Sequence, residues 1–215
     1  LKNKYFSMRL TPKLHVYLFM QAIFLDLETT GLDWTKHVVI DIAFKVVDLS
    51  KNQIRTSFQK LIKHPPEIWE KTDPISLEIN GYTREQVEGG DASGQIREEI
   101  IALFTQLGII RGQAIFICQN PSFDRPFFNQ LVDTYTQEQL NWPYHWLDLA
   151  SMYWTKRIEL WRAIKESIPQ TMSLSKDAIA NFYHLPPEDS PHRAMNGVNH
   201  LLLCYQALFG VKFAF

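Results

Sequence analysis

A mixed α/β fold is predicted for this chain by three features. The opening third alternates with the period 2 of sheet strands, a short apolar run sits between two helical patterns in the middle, and helical patterns close the sequence. With 215 residues, 46% of them hydrophobic, the chain can bury one substantial core and is too short for two ordinary domains. An extension over residues 1–15 followed by a single domain over residues 16–215 is the expected organisation.

Val16 to Leu27 reads as the first strand; its apolar part carries Gln21 and falls short of the roughly 20 residues a membrane-spanning helix needs. No basic segment leads into a small-residue cleavage site, which argues against secretion. From Val38 to Asp48 the apolar residues Val38, Ile40, Ile42, Phe44 and Val46 share one face, and Ser57 to Ile62 reads as a neighbouring strand. Pro65-Pro66, Asp73-Pro74, Asn80-Gly81 and Gly89-Gly90-Asp91 then punctuate a loop-rich region with at most short helices.

After Asp91 the period changes. Ile96, Ile100, Leu103 and Leu107 fall at helical spacing between Ser93 as the expected cap and Gly108 as terminator. Ala114 to Cys118 is a short strand, and Ser122 is the expected cap of a helix carrying Phe123, Phe127, Leu131 and Tyr135. Trp146 to Ile168, Ser173 to Tyr183 and Ala194 to Leu208 read mainly as helix.

The formal net charge of −1 and a pI near 6.7 argue against a protein that grips a long duplex through many phosphates. Two cysteines, Cys118 and Cys204, both in apolar runs, imply buried thiols rather than a disulfide framework, and with them a cytoplasmic protein.

Asp26 and Glu28 end the first strand in Phe24-Leu25-Asp26-Leu27-Glu28-Thr29-Thr30-Gly31. Residues i and i+2 of a strand share a face, so the two carboxylates stand side by side and repel unless a cation lies between them. Two surface acids at a loop start are the plain alternative, and the apolar residues just before the pair favour the metal site. Asp124 falls in the first turn of a helix that directly follows a strand; complementing the helix dipole there is worth only ~0.3 to 1 kcal/mol. His192, on a loop ahead of the last helix, is by itself an ordinary loop histidine.

In this order the three motifs resemble the DEDDh, or DnaQ-like, family of 3′-to-5′ exonucleases, which includes the proofreading subunit of bacterial DNA polymerase, RNase T and oligoribonuclease. The resemblance runs from about Ile23 to Leu208, with supporting matches at Ile79-Asn80-Gly81-Tyr82-Thr83 and Trp146-Leu147-Asp148-Leu149-Ala150. It implies an RNase H-like fold with a mixed five-stranded sheet flanked by helices. It also implies two divalent cations, Mg²⁺ or Mn²⁺, about 3.5–4 Å apart on the scissile phosphate. Asp26 would bridge both, Glu28 and Asp124 would each hold one, and His192 would take the proton from the attacking water. Thr29, Thr30, Gly31 and Leu32 would contact the terminal nucleotide, with Asn120 and Phe123 lining the same pocket. The implied substrate is a single-stranded DNA or RNA 3′ end, in DNA replication and repair or in RNA processing.

The family places a fourth acid five residues after the histidine, where this chain has Gly197. Glycine costs about 1 kcal/mol inside a helix, so helix stability does not explain it. The resemblance therefore implies weakened hydrolysis, or a degenerate module that binds nucleic acid or docks on a polymerase. Asn196, Asn199, Asp189 and Asp148 are the candidate stand-ins, although amides bind Mg²⁺ poorly, Asp189 needs a loop rearrangement and Asp148 suits a helix cap. Gln119, where the family often has histidine, should alter local hydrogen bonding. Trp142, Trp146, Trp154 and Trp161 lie near Lys156, Arg157, Arg162 and Lys165, a pattern that suits base stacking or, as large aromatics at helical spacing favour, core and a homodimer interface. A DNA polymerase is the other partner this segment suggests.

Overall fold

The computed structural model describes residues 20–165, 167 and 169–214; the expected extension 1–15 and the first residues of the expected first strand, 16–19, lie outside them. Six strands form one sheet: β1 (Gln21–Thr29), β2 (Val39–Asp48), β3 (Gln53–Lys63), β4 (Asp91–Ala92), β5 (Ala114–Cys118) and β6 (Trp146–Asp148), in the order β4-β3-β2-β1-β5-β6. β1, β2 and β3 pair antiparallel, whereas β5 runs parallel to β1 and to β6. The expected five-stranded mixed sheet is therefore present with one addition, the two-residue β4 beside β3, which is too short to carry a sequence period.

Nine helices surround the sheet among the described residues. They are α1 (Pro66–Trp69), α2 (Pro74–Asn80), α3 (Arg84–Glu88), α4 (Ser93–Leu107), α5 (Pro121–Leu131), α6 (Thr134–Gln139), α7 (Leu149–Ile164), α8 (Lys176–Phe182) and α9 (Ala194–Phe209). None is long and apolar enough to cross a membrane.

Strand parity sorts the core onto two faces. Ile23, Leu25 and Leu27 of β1, with Ile42, Phe44 and Val46 of β2, pack under Ile96, Ile100 and Phe104 of α4 and Phe127 and Phe128 of α5. Ala22 and Phe24, with Ala43 and Val47, pack under Tyr153 of α7, Ile179 of α8 and Val198 and Leu201 of α9. Asp26 and Glu28 continue the second series, so they face α8 and α9. Because helices cover both faces, all ten residues of β2 are buried, including Asp41, Lys45 and Asp48.

Several element boundaries differ from expectation for local reasons, and the helix expected to carry Tyr135 ends at Leu131, so that Tyr135 falls on α6, exposed. Trp146 does not open a helix: Trp146-Leu147-Asp148 pairs with β5, and the Trp146 ring stacks on Phe116 at 4.0 Å between centroids. The helix starts only at Leu149, with Asp148 accepting from the Ala150 and Ser151 amides at 3.0 and 3.1 Å, and it ends at Ile164. Ser93 is the first residue of α4 rather than its cap, since β4 runs straight into the helix. Asn120, in the left-handed region at φ 60°, precedes α5 where Ser122 was expected to, and Pro121 takes the first helical position.

Asp148 also accepts from the Asn120 amide at 3.0 Å, so this cap joins the start of α5 to the start of α7. Asp148→Ala is expected to cost about 1–2 kcal/mol. A urea midpoint matching the unsubstituted protein would show that water replaces the cap.

Cys118 and Cys204 are free and buried, as expected. Three of the four clustered tryptophans are structural: Trp142 packs between Phe104 and Phe128, Trp146 on Phe116, and buried Trp161 under the Arg157 guanidinium at 4.7 Å. Trp154 alone of the four is largely exposed.

Candidate active site

Strand β1 delivers Asp26 and Glu28 at the end of the sheet that faces α8 and α9. Its register against β2 shifts between Glu28 and Thr29, and the chain turns there, with the Thr29 hydroxyl donating to the Gly31 carbonyl at 2.8 Å. Gly31 lies against the His37 ring at this turn, where an added Cβ would stand 2.5 Å from it and displace the ring. Beyond it Leu32 is 76% exposed.

Asp124, in the first turn of α5, is buried close to this pair. Burial and then the charge of Asp26 push its carboxyl well above the usual carboxylate range. Burial, then Asp26, also drives Glu28 up to about 8. For Asp26 burial is again the largest cause of a raised pKa, opposed by the ammonium of Lys176. Three carboxyls thus compress one another's charge in a dry site, the condition that favours a bound cation.

Lys176, the first residue of α8, donates to Asp26 Oδ1 at 3.3 Å and lies 2.9 Å from Glu188 Oε2. Burial works against its ammonium, but Asp26 and Glu188 outweigh that and raise its pKa above the ordinary value. The Glu188 side chain is 3% exposed; burial pushes it up, yet His200 and Lys176 outweigh burial and hold the carboxyl down to about 2. Neither residue was foreseen. Asp189, the loop acid considered as a stand-in, is exposed, and the next residue back carries the buried carboxylate.

His192 is 44% exposed in its side chain, with Nδ1 at 3.7 Å from Glu188 Oε1. Its loop is fastened by the Ile79 to Thr83 segment: the His192 amide donates to the Ile79 carbonyl at 3.2 Å, and the Arg193 guanidinium donates to the Gly81 carbonyl and lies over the Tyr82 ring at 3.6 Å. Asn80 in turn donates to the Thr29 carbonyl at 3.2 Å. Buried Asp41 collects the rest, accepting from the Tyr82 hydroxyl at 2.7 Å, the Gln59 amide group and the Ala194 amide at 3.0 Å. The histidine loop, the 79–83 segment and the end of β1 are thus tied together by hydrogen bonds.

Gly197 lies in the first turns of α9 directly over Asp26. A Cβ there would stand 1.9 Å from Asp26 Oδ2, 2.6 Å from Asp26 Cγ and 3.0 Å from Lys176 Nζ. Close approach of helix to strand, rather than helix propensity, is the reason for glycine here. Gln119 donates to the Leu174 carbonyl at 2.6 Å, which fixes the chain entering α8.

Asn120 and Phe123 stand at the start of α5, Phe123 tilted against Phe127 at 4.9 Å. A cavity of about 370 Å³ adjoins them, lined by Trp34, Pro121, Ser122, Arg125, Pro126 and Asn129. A larger one, about 480 Å³, lies between Leu185 and the last turns of α9, away from the acids.

Asp26, Glu28 and Asp124 offer only carboxylate oxygens, the donor type that hard divalent cations take, so the residues present suit such an ion. Among the described residues, however, no three His, Cys, Asp or Glu side chains already converge as a ligand set. Asp26 is turned towards the lysine instead.

An RNase H-like α/β sheet that ends in buried carboxylates defines the general class, and the comparisons narrow it. Residues 23–199 match the model of the RNase T exonuclease family. The chain belongs to that family of exonucleases. It is 29% identical over 197 residues to the chloroplastic/mitochondrial exonuclease DPD1 of Arabidopsis thaliana, covering 88% of this chain and 56% of that protein, so it spans about half the length of this relative. Among solved structures, exonuclease I has TM-score 0.70 at 15% identity, covering 90% of this chain and 41% of its own. Cell-death related nuclease 4 has TM-score 0.67 at 17% identity, covering 89% and 64%. The nuclease domain of 3′hExo, a DEDDh family member bound to rAMP, has TM-score 0.61 at 12% identity, covering 91% and 96%. These structural likenesses show the shared fold.

Proposed function

We propose that this protein is a divalent-metal-dependent exonuclease that removes nucleotides one at a time from the 3′ end of single-stranded nucleic acid. The observation that carries this reading is the trio of buried Asp124 and part-buried Asp26 and Glu28, each with its proton affinity raised by burial and by Asp26 or its neighbours. Without a cation such a trio opposes folding, and an ion-binding role is what accounts for it.

The three carboxylates would hold the metal, Mg²⁺ or Mn²⁺; the family resemblance implies two ions. A bound cation supplies positive charge against the phosphate and a more acidic water. His192, steadied by Glu188, accepts the proton of the attacking water. The water oxygen bonds to the last phosphorus, the bond to the preceding 3′-oxygen breaks, and a nucleoside 5′-monophosphate leaves. Thr29 to Leu32 and the start of α5 at Asn120 and Phe123 border the terminal nucleotide, with exposed Leu32 set against its base.

Related structures include E. coli exonuclease I with single-stranded DNA and a 3′-exonuclease recognising a histone mRNA stem-loop. Either chemistry of strand suits a site whose metal reads phosphate. Gly197 favours a second reading, a degenerate module that binds without turnover. A DNA polymerase or a second copy of this chain as partner would dock on α7, where Trp154, Leu160 and Ile164 are exposed. Residues 16–215 are taken as the exonuclease domain after an extension at 1–15, and cytoplasmic residence is inferred from the two free thiols.

The test uses a single-stranded oligonucleotide, labelled at the 5′ end or at the 3′ end, with purified protein and Mn²⁺. A 5′-labelled strand should yield a descending ladder and a 3′-labelled strand a labelled mononucleotide, both lost in Asp26→Ala. Absence of any ladder, or one indifferent to Asp26→Ala, would move the assignment to the degenerate reading.

A further inference from the structure

Resting on the exonuclease reading above, we infer that the Lys176 ammonium occupies the place of one of the two cations, so that the centre takes a single divalent ion on the Glu28 and Asp124 side of Asp26. Lys176 Nζ is held as a bound ion is held, between two carboxylates, at 3.3 Å from Asp26 Oδ1 and 2.9 Å from Glu188 Oε2. With side-chain exposures of 14% for Lys176 and 3% for Glu188, this is an interior pair and not a surface contact.

The space around Gly197 supports the assignment from a second direction. The direction in which a residue at 197 would project is filled by Asp26 Oδ2 at 1.9 Å and Lys176 Nζ at 3.0 Å from the Cβ position. The acid missing from α9 and the lysine present on α8 are therefore one exchange: a carboxylate that would ligate a cation is gone, and a covalently tethered cation with its own carboxylate, Glu188, stands in the same volume.

The lysine is also built in place. Ser175 caps α8 by accepting from the Ala178 amide at 3.1 Å, Gln119 fixes Leu174, and His200 backs Glu188 with Nδ1 at 3.6 Å while its Nε2 meets the Pro186 carbonyl at 3.1 Å. Net charge alone does not choose between the counts, since four carboxylates, Asp26, Glu28, Asp124 and Glu188, and one ammonium reach about −1 with one divalent ion and about +1 with two; position does. A second would be forced against the ammonium.

The test counts ions and needs neither nucleic acid nor turnover. Chelator-treated protein is titrated with Mn²⁺, bound ion being counted by calorimetry and by the electron paramagnetic resonance signal of free Mn²⁺. The unsubstituted protein should bind one Mn²⁺ per chain. Lys176→Met should bind two, and Lys176→Met with Gly197→Asp should bind the second at least tenfold more tightly. Two ions on the unsubstituted protein, none at all, or a folded Lys176→Met that still binds one would overturn the inference. Should Lys176→Met fail to fold by circular dichroism, the count on the unsubstituted protein decides alone. One bound ion without nuclease activity would refute the exonuclease reading and leave the lysine assignment standing; activity with two bound ions would do the reverse.

Discussion

Gly197→Asp, the substitution that rewrites the family's fourth acid into this chain, is expected to lower the melting temperature by about 6–12 °C and to add no Mn²⁺-dependent activity. Its Cβ alone would meet Asp26 Oδ2 at 1.9 Å, and the obstructing side chain is short, part-buried and anchored by Lys176, so swinging aside breaks that ion pair. Overpacking of this kind typically costs about 1–3 kcal/mol, and the new carboxylate adds repulsion from Asp26. Against this, leaving glycine in a helix returns less than about 1 kcal/mol. A net loss of about 3 kcal/mol converts at about 2–4 °C per kcal/mol for a chain of this length. Gly197→Ala should fall in the same direction by less. Thermal denaturation and the oligonucleotide assay check this together: an acid at 197 that melts normally and raises activity would show that Asp26 and Lys176 yield without cost.

Metal-free protein is expected to lose stability as pH rises from 5 to 8, and Mn²⁺ to remove that slope. Glu28 has a pKa of about 8 in the folded chain against an ordinary 4.5. A group whose folded pKa is raised contributes stability that is complete below the lower value and gone above the upper one, so the loss falls across this interval. Asp26 and Asp124 are shifted in the same direction. Glu188 is shifted the other way, down to about 2, so its contribution is already complete above pH 4.5 and does not vary here. One pKa unit is about 1.4 kcal/mol, and even half of the Glu28 shift is then worth about 2 kcal/mol, or about 4–8 °C. Melting curves in chelator at pH 5, 6, 7 and 8, repeated with Glu28→Gln, isolate the effect. A flat profile in chelator, or a slope that Glu28→Gln leaves untouched, would show that Glu28 is ionised without a metal.

How much of this could be read in advance follows from where each signal resides. Strands β1, β2 and β5 and helices α4 and α9 are long or strongly periodic enough to announce themselves, and the i, i+2 spacing of Asp26 and Glu28 is a local fact of strand geometry. β4 and β6 are two and three residues long and owe their strand state to neighbours, main-chain pairing with β3 and β5 and the Trp146 stack on Phe116. No local pattern could have revealed them. Lys176 and Glu188 were hidden for a related cause: each is brought to Asp26 by the path of α8 and of the loop after it, and a difference of one residue separates buried Glu188 from exposed Asp189. The available clue was Gly197 itself. A glycine within the apolar stripe of a helix marks a close approach, and what approaches here is the Asp26 carboxylate with the Lys176 ammonium behind it.

The ion pair between Asp26 and Lys176 spans 150 residues of chain, and this separation has a meaning during synthesis. At about 5–20 residues per second, on the order of ten seconds pass between the appearance of the acidic strand and that of its lysine. The histidine loop and the helix that covers Asp26 come later still. While the intervening chain is being made, then, the carboxylates of β1 stand without the ammonium that faces Asp26 in the folded protein, and the acidic end of the sheet takes its final form only after α8 and α9 have been added.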